Sequence, residues 1–115
     1  NTPSNGGHNL TNMAVAAGSS VGTEQFGINL VANTSPATFG ADPVQQPSTA
    51  FSYGSAASGY NTTNLYKYVN GQTIATATRA SGKTDYTISY LANISITTPG
   101  GSYSGNQTLV CVGTY

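Results

Sequence analysis

Polar and apolar residues alternate with a period of two in several stretches of this chain. From Asp85 onward, Tyr86, Ile88, Tyr90, Ala92, Ile94 and Ile96 share one parity, and Thr87, Ser89, Leu91, Asn93 and Ser95 the other. Strand side chains point alternately to opposite faces. The run therefore predicts a half-buried strand whose core face carries Ile88, Tyr90, Ala92 and Ile94. Thr98-Pro99-Gly100-Gly101-Ser102 predicts a turn. Residues 107–115 predict the next strand, with Val110 and Val112 on one face and Leu109, Cys111 and Tyr115 on the other. Apolar on both faces, it reads as a central strand, joined to its predecessor in a hairpin.

Upstream, Phe26, Ile28, Leu30 and Ala32 alternate with Gly27, Asn29 and Val31, which predicts a strand over residues 25–33. Residues 64–69 and 72–78 flank Asn70-Gly71, a hairpin signal because both turn residues tolerate positive φ. Residues 49–53 read as a weaker strand. No stretch carries a convincing 3.6-residue apolar period, and helix is expected only as a turn or two near residues 12–17. Residues 34–48 hold Pro36, Pro43 and Pro47 and read as a connection or an edge, since proline cannot donate to a ladder. Residues 54–59 read as a loop. Residues 1–23 are polar and Gly-rich, with Leu10, Met13, Val15 and Val21 as isolated apolar anchors. They are expected to form an extended N-terminal arm or edge strand rather than core, leaving residues 24–115 as the domain. About six strands at short spacing predict an all-β fold. The preferred architecture is an immunoglobulin-like β-sandwich of six to seven strands, with a jelly-roll-like sandwich as the alternative.

Charge changes the picture most. Three basic residues (Lys67, Arg79, Lys83) and three acidic ones (Glu24, Asp42, Asp85) make up 5% of the chain, against about 25% in an ordinary domain. Ser, Thr, Asn, Gln and Gly must cover the surface. Three scattered cations cannot neutralise a phosphate backbone, which argues against a nucleic-acid partner. The same scarcity argues against a polybasic membrane contact. No run of about 18 apolar residues exists, so direct membrane insertion by a helix is not expected. Few groups can change protonation on folding, so a nearly flat melting temperature is expected between about pH 3 and pH 9. The chain begins at Asn1 rather than Met, and we read it as a processed product or fragment from which an export signal has been removed.

The candidate chemistry is thin. A Ser-His-acid triad would need His8 as its base, and His8 follows Asn5-Gly6-Gly7 in the expected arm, where it reads as an exposed polar residue. Zinc needs clustered His and Cys, and calcium closely spaced carboxylates; neither pattern occurs, so no metal or cofactor is expected. Three acids could flank a glycan in many ways, and the Tyr residues keep glycan binding open. Lys67 between Tyr66 and Tyr68 could form an amide cross-link to an Asn, but reads more simply as a lysine lying along an edge strand. Cys111 in an apolar run reads as a small buried hydrophobe, or as a bond to another chain. Asn-x-Ser/Thr acceptor sequences occur at Asn9, Asn33, Asn61, Asn93 and Asn106.

Residues 22–30 (Gly-Thr-Glu-Gln-Phe-Gly-Ile-Asn-Leu), residues 85–90 (Asp-Tyr-Thr-Ile-Ser-Tyr) and residues 98–105 (Thr-Pro-Gly-Gly-Ser-Tyr-Ser-Gly) closing in Val110-Cys111-Val112 form a layout. It resembles that of secreted, immunoglobulin-like surface proteins of bacteria. In that group the Thr-Pro-x-Gly-x-Tyr-x-Gly turn links the last two strands. The low charge and Ser/Thr-rich β pattern are also similar to fimbrial subunits that assemble by donating a strand. These resemblances imply an extracellular structural subunit that polymerises with copies of itself, with Leu10, Met13 and Val15 in the donated arm. Deletion of residues 1–21 would then leave a soluble sandwich that no longer assembles. A monomeric surface-binding module or adhesin for glycans is the alternative, and no enzymatic activity is expected.

Overall fold

The structure, a computed structural model, describes residues 1–80 and 82–113. Among these the fold is all-β, with no helix. Its strands are β1 (Gln25–Asn29), β2 (Val44–Gln46), β3 (Gly54–Ala56), β4 (Ala75–Ala77), β5 (Lys83–Asp85) and β6 (Ser89–Asn93). They form three antiparallel two-stranded ladders, β1 with β6, β2 with β5 and β3 with β4.

The organising strand is β1, which is buried on both faces from Phe26 onward. Its register with β6 sets Phe26 opposite Ala92, Gly27 opposite Leu91 and Ile28 opposite Tyr90. Directly opposed residues share a face. On one face Phe26, Ile28 and Leu30 pack with Leu10, Ala56, Tyr60 and Tyr68, and the rings of Phe26 and Tyr68 meet edge-on at 5.1 Å. Ala56 belongs to β3 and Ala75 of β4 packs against the same cluster, so a second ladder shares this core. On the other face Met13, Tyr66 and Leu91 form a smaller cluster, with the Phe39 ring stacked 6.1 Å from that of Tyr66. Gly27 faces this cluster because nothing larger fits. A Cβ there would lie 2.8 Å from Tyr66 Cβ and 2.9 Å from Met13 Sδ.

Residues 89–93 form the expected strand, but its buried parity is the other one. Ser89 and Leu91 are buried, whereas Tyr90, Ala92 and Ile94 are exposed and Ile88 is half-buried. The reason is tertiary. Met13 and Tyr66 cover the Leu91 face, while the first core reaches this side of the strand only partly, at Ile88 and at the Tyr90 ring 6.4 Å from that of Phe26. Ser89 Oγ is buried without a hydrogen-bond partner among the described residues. Ser89→Ala removes that unpaired hydroxyl and is expected to leave the urea midpoint unchanged or to raise stability by up to about 1 kcal/mol. A loss beyond about 1 kcal/mol would mean that the hydroxyl is bonded after all.

Three further expectations are corrected. The proline-rich stretch, read as a connection or an edge, carries β2 between Pro43 and Pro47 as an edge strand, whereas the expected loop at residues 54–59 contains β3. Short apolar patterning gave no sign of either. Residues 49–53 form a turn rather than a strand. The Asn70-Gly71 turn forms, with Gln72 N–H donating to Val69 O at 3.2 Å and Gly71 at φ +77°. Its flanks do not pair with each other: β4 pairs with β3, while Tyr66 and Lys67 bridge Ala17 and Ile28.

The N-terminal segment is core, not a free arm. Leu10 and Met13 are 4% and 7% exposed, while Val15 and Val21 stand in solvent at 77% and 94%. Residues 11–13 run alongside β1 at Phe26 and Ala17 pairs with Tyr66, while Ile28 of β1 pairs directly with Lys67. Phe26 N–H donates to Thr11 O at 2.7 Å, Met13 N–H to Phe26 O at 2.9 Å, and Tyr68 N–H to Met13 O at 2.8 Å. Ala17 and Tyr66 exchange both backbone bonds. The chain spends its own N-terminus to complete its sheet, which also removes the helical turn considered for residues 12–17.

Candidate functional site

Three edges in this fold are short or guarded. β2 sits between prolines, β5 carries the exposed Lys83–Asp85 ion pair at 2.8 Å, and β3 buries both Gly54 and Ala56. Such features discourage pairing with another chain. β6 has none of them. Phe26 and Ile28 direct their backbone groups away from β6, to residues 11, 13 and 67. They therefore form the non-hydrogen-bonded pairs with Ala92 and Tyr90. Consequently Tyr90 and Ala92 aim their own N–H and C=O groups at the outer edge, where no other described residue pairs with them. Tyr90 on β6, and Ile94 and Ile96 in the segment and turn just after it, are exposed by 52%, 64% and 101%.

The C-terminal segment starts beside this edge and then leaves the body. Tyr90 OH donates to Gln107 Oε1 at 2.8 Å. Past Gln107, residues 108–113 have no backbone pair among the described residues, and they are not the central strand of a hairpin. Leu109, Val110 and Val112 are 64%, 82% and 86% exposed, and Cys111 is an exposed free thiol rather than a buried one. Tyr115, expected on the same face as Leu109 and Cys111, lies outside the described residues. The Pro-Gly-Gly segment that was to turn the chain back instead brings Ser104 to Ser4, with paired backbone bonds of 2.8 and 2.9 Å.

His8 is held rather than loose. Its Nε2 lies 2.7 Å from Glu24 Oε2, and its ring meets Tyr103 edge-on at 6.3 Å. Thr98 Oγ1 donates to the same carboxylate oxygen at 2.7 Å, and Thr11 donates to Oε1 through both Oγ1 (2.7 Å) and N–H (2.9 Å). Glu24 thus ties the N-terminal segment to the loop after β6. The Thr98, Thr11 and His8 hydrogen bonds, in that order, hold its carboxyl down from 4.5 to about 2. Burial, and then the Glu24 charge, push the Tyr103 phenol up. A carboxyl whose folded pKa is depressed stabilises fully above its unfolded value and loses that contribution as pH falls toward the folded one. The melting temperature should therefore be level above about pH 5 and fall between 4.5 and about 2. This shortens the flat range expected from composition. Glu24→Gln should flatten that acid limb in thermal melts; an unchanged limb would assign it to other groups.

The remaining charged groups are dispersed. Asp42 accepts from Ala32 N–H at 3.0 Å, the Lys67 ammonium sits 5.6 Å from the Tyr60 ring centre, and the Arg79 guanidinium covers Tyr53 at 3.8 Å. Among the described residues no three His, Cys, Asp or Glu side chains group as a metal site would require, and no helix is long and apolar enough to cross a membrane. Of the acceptor asparagines, Asn9, Asn61 and Asn106 are exposed. Asn93 Nδ2 is engaged by Ser19 and Gln25. Asn33 is 1% exposed and donates to Asn29 Oδ1 and Val31 O, so the folded chain does not present it for modification.

Comparisons with protein-family models, with curated proteins and with solved structures find no match to this chain. The functional reading therefore rests on its own surface. An open apolar strand edge and an unpaired apolar segment are features with the chemistry to bind a β-strand. Sequence reasoning missed both, because tertiary pairing alone decides which apolar run is covered.

Proposed function

We propose that the chain is a structural subunit of an extracellular filament or surface layer, assembling through β-strand and uncharged surface contacts with copies of itself. One observation carries the reading. Exposed apolar side chains on and just after β6 (Tyr90, Ile94 and Ile96) and a second apolar segment at residues 109–112 both stand in solvent, on a surface with almost no charge to repel a copy. An uncharged surface also avoids the desolvation penalty of burying ions. The finer fold reading, an immunoglobulin-like β-sandwich, belongs to the same proposal. It is supported by the β1/β6 and β3/β4 ladders contributing to one core. Electron microscopy and light scattering of the purified chain test it. Filaments, sheets or a concentration-dependent mass are expected, and a strict monomer at high concentration would overturn the reading.

A monomeric glycan-binding module is the second reading. It is favoured by a shallow apolar concavity of about 600 Å³ lined by Pro47, Phe51 and Tyr53, with Phe51 63% exposed. A strict monomer that loses glycan binding on Phe51→Ala would favour it.

A further inference from the structure

We infer that residues 108–112 of one copy pair with the outer edge of β6 in a second copy. The inference rests on the self-assembly reading above and names the strand and the edge that carry it. Four observations converge on it. First, β6 offers unpaired backbone groups at Tyr90 and Ala92, and unpaired edges are templates for a further strand. Second, residues 109–112 are Leu-Val-Cys-Val, rich in β-branched residues and exposed on both parities, so neither face is covered within the chain. Third, the monomer exposes too much. Its accessible surface is 6958 Å², about 1,000 Å² above the roughly 5,900 Å² expected for a compact chain of this mass. That excess is close to the approximately 800 Å² each partner buries in a standard interface. The radius of gyration agrees, at 15.5 Å against about 13 Å for a compact domain of this length. Fourth, the N-terminal segment, the other candidate donor, is already spent within its own chain.

The geometry of the pairing follows. The donated segment and the accepting edge are different surfaces, so the contact is head-to-tail and each added copy presents a fresh edge and a fresh segment. Alternate residues of the segment, either Leu109 and Cys111 or Val110 and Val112, would lie beside Tyr90 and Ala92 on one face of the extended ladder. The opposite pair would face outward. The product is a linear polymer rather than a closed dimer.

The native thiol provides the test. Ala92→Cys and, for a register two residues along, Tyr90→Cys each place a second thiol on the accepting edge. Each variant is assembled in the full chain and oxidised with oxidised glutathione. A ladder of trimers and larger species on a non-reducing gel is expected, with an intermolecular 92–111 or 90–111 disulfide in the peptide map. The Val110→Asp/Val112→Asp variant changes only exposed side chains, so its melting temperature should match wild type while its assembly falls at least tenfold. If wild type assembles but neither disulfide forms and the Asp variant assembles normally, the inference fails and the self-assembly reading stands. An intramolecular disulfide in the monomer places the segment on its own edge and also overturns the inference. If wild type remains monomeric, both fall.

Discussion

The double variant Leu10→Ala/Met13→Ala is expected to be largely unfolded at 25 °C. Leu10 is buried against Phe26, Ile28 and Tyr68 on one face of β1, and Met13 against Tyr66 and Leu91 on the other. Truncating a buried Leu or Met to Ala costs about 2–5 kcal/mol, from lost burial and the cavity left behind. The two sites lie in separate clusters, so their costs should approximately add. The sum is comparable to the roughly 5–15 kcal/mol that holds a typical domain together. Each single variant should shift the urea midpoint with an unchanged slope, while the double variant shows no folded baseline. If both positions tolerate alanine within about 0.5 kcal/mol, as exposed sites do, the N-terminal segment is a loose arm. Deletion of residues 1–21 should likewise fail to give a folded chain, because the backbone groups of Phe26, Tyr66 and Tyr68 would lose their partners.

Gly27→Val is the second large effect. The position carries no positive φ, so backbone strain is not the reason for glycine. The reason is proximity. A Cβ would meet Tyr66 Cβ at 2.8 Å, Met13 Sδ at 2.9 Å and the Lys67 backbone nitrogen at 3.1 Å. Met13 can shift, but Tyr66 Cβ and the Lys67 backbone are anchored by bonds to Ala17 and Ile28. Overpacking of this kind typically costs about 1–3 kcal/mol and more where the backbone must move. Valine adds two methyl groups beyond the clashing Cβ, so a loss of at least about 3 kcal/mol is expected. Gly27→Ala should fall between Val and wild type. Equal stability of all three in chemical denaturation would mean that β1 and residues 66–67 are not in contact.

How much of this was legible in the sequence depends on what each element needed. The strand at residues 25–29 was legible because Phe26, Ile28 and Leu30 alternate, and its pairing with residues 89–93 joined two of the clearest runs. The covered face of β6 was not, because hydropathy favours Ile and Tyr over Ser89, and only Met13 and Tyr66 decide that the Leu91 side is closed. Four isolated anchors in residues 1–23 looked too sparse for core. Two of them suffice because an extended segment places Leu10 and Met13 on opposite faces of a sheet that already exists. At the C-terminus the pattern was a strand pattern, and pattern alone cannot say whether its partner is in the same chain. The Glu24 cluster left no local trace. Its donors at residues 8, 11 and 98 are brought together only by the Ser4–Ser104 pairing and the docking of residues 11–13.

Hydrogen exchange read residue by residue, in the monomer and in the assembled state, tests the central claim most directly. That claim divides the two ends of the chain: the N-terminal segment completes the fold internally, and the C-terminal segment is free to bind another copy. The amides of Met13, Ala17, Phe26 and Tyr68 should be protected in both states, since each donates a bond within the chain. Those of residues 108–112 should exchange at nearly unprotected rates in the monomer and become protected on assembly, together with Tyr90 and Ala92 on β6. Fast exchange at Met13 and Ala17 in the monomer, with residues 108–112 already protected there, would contradict the account.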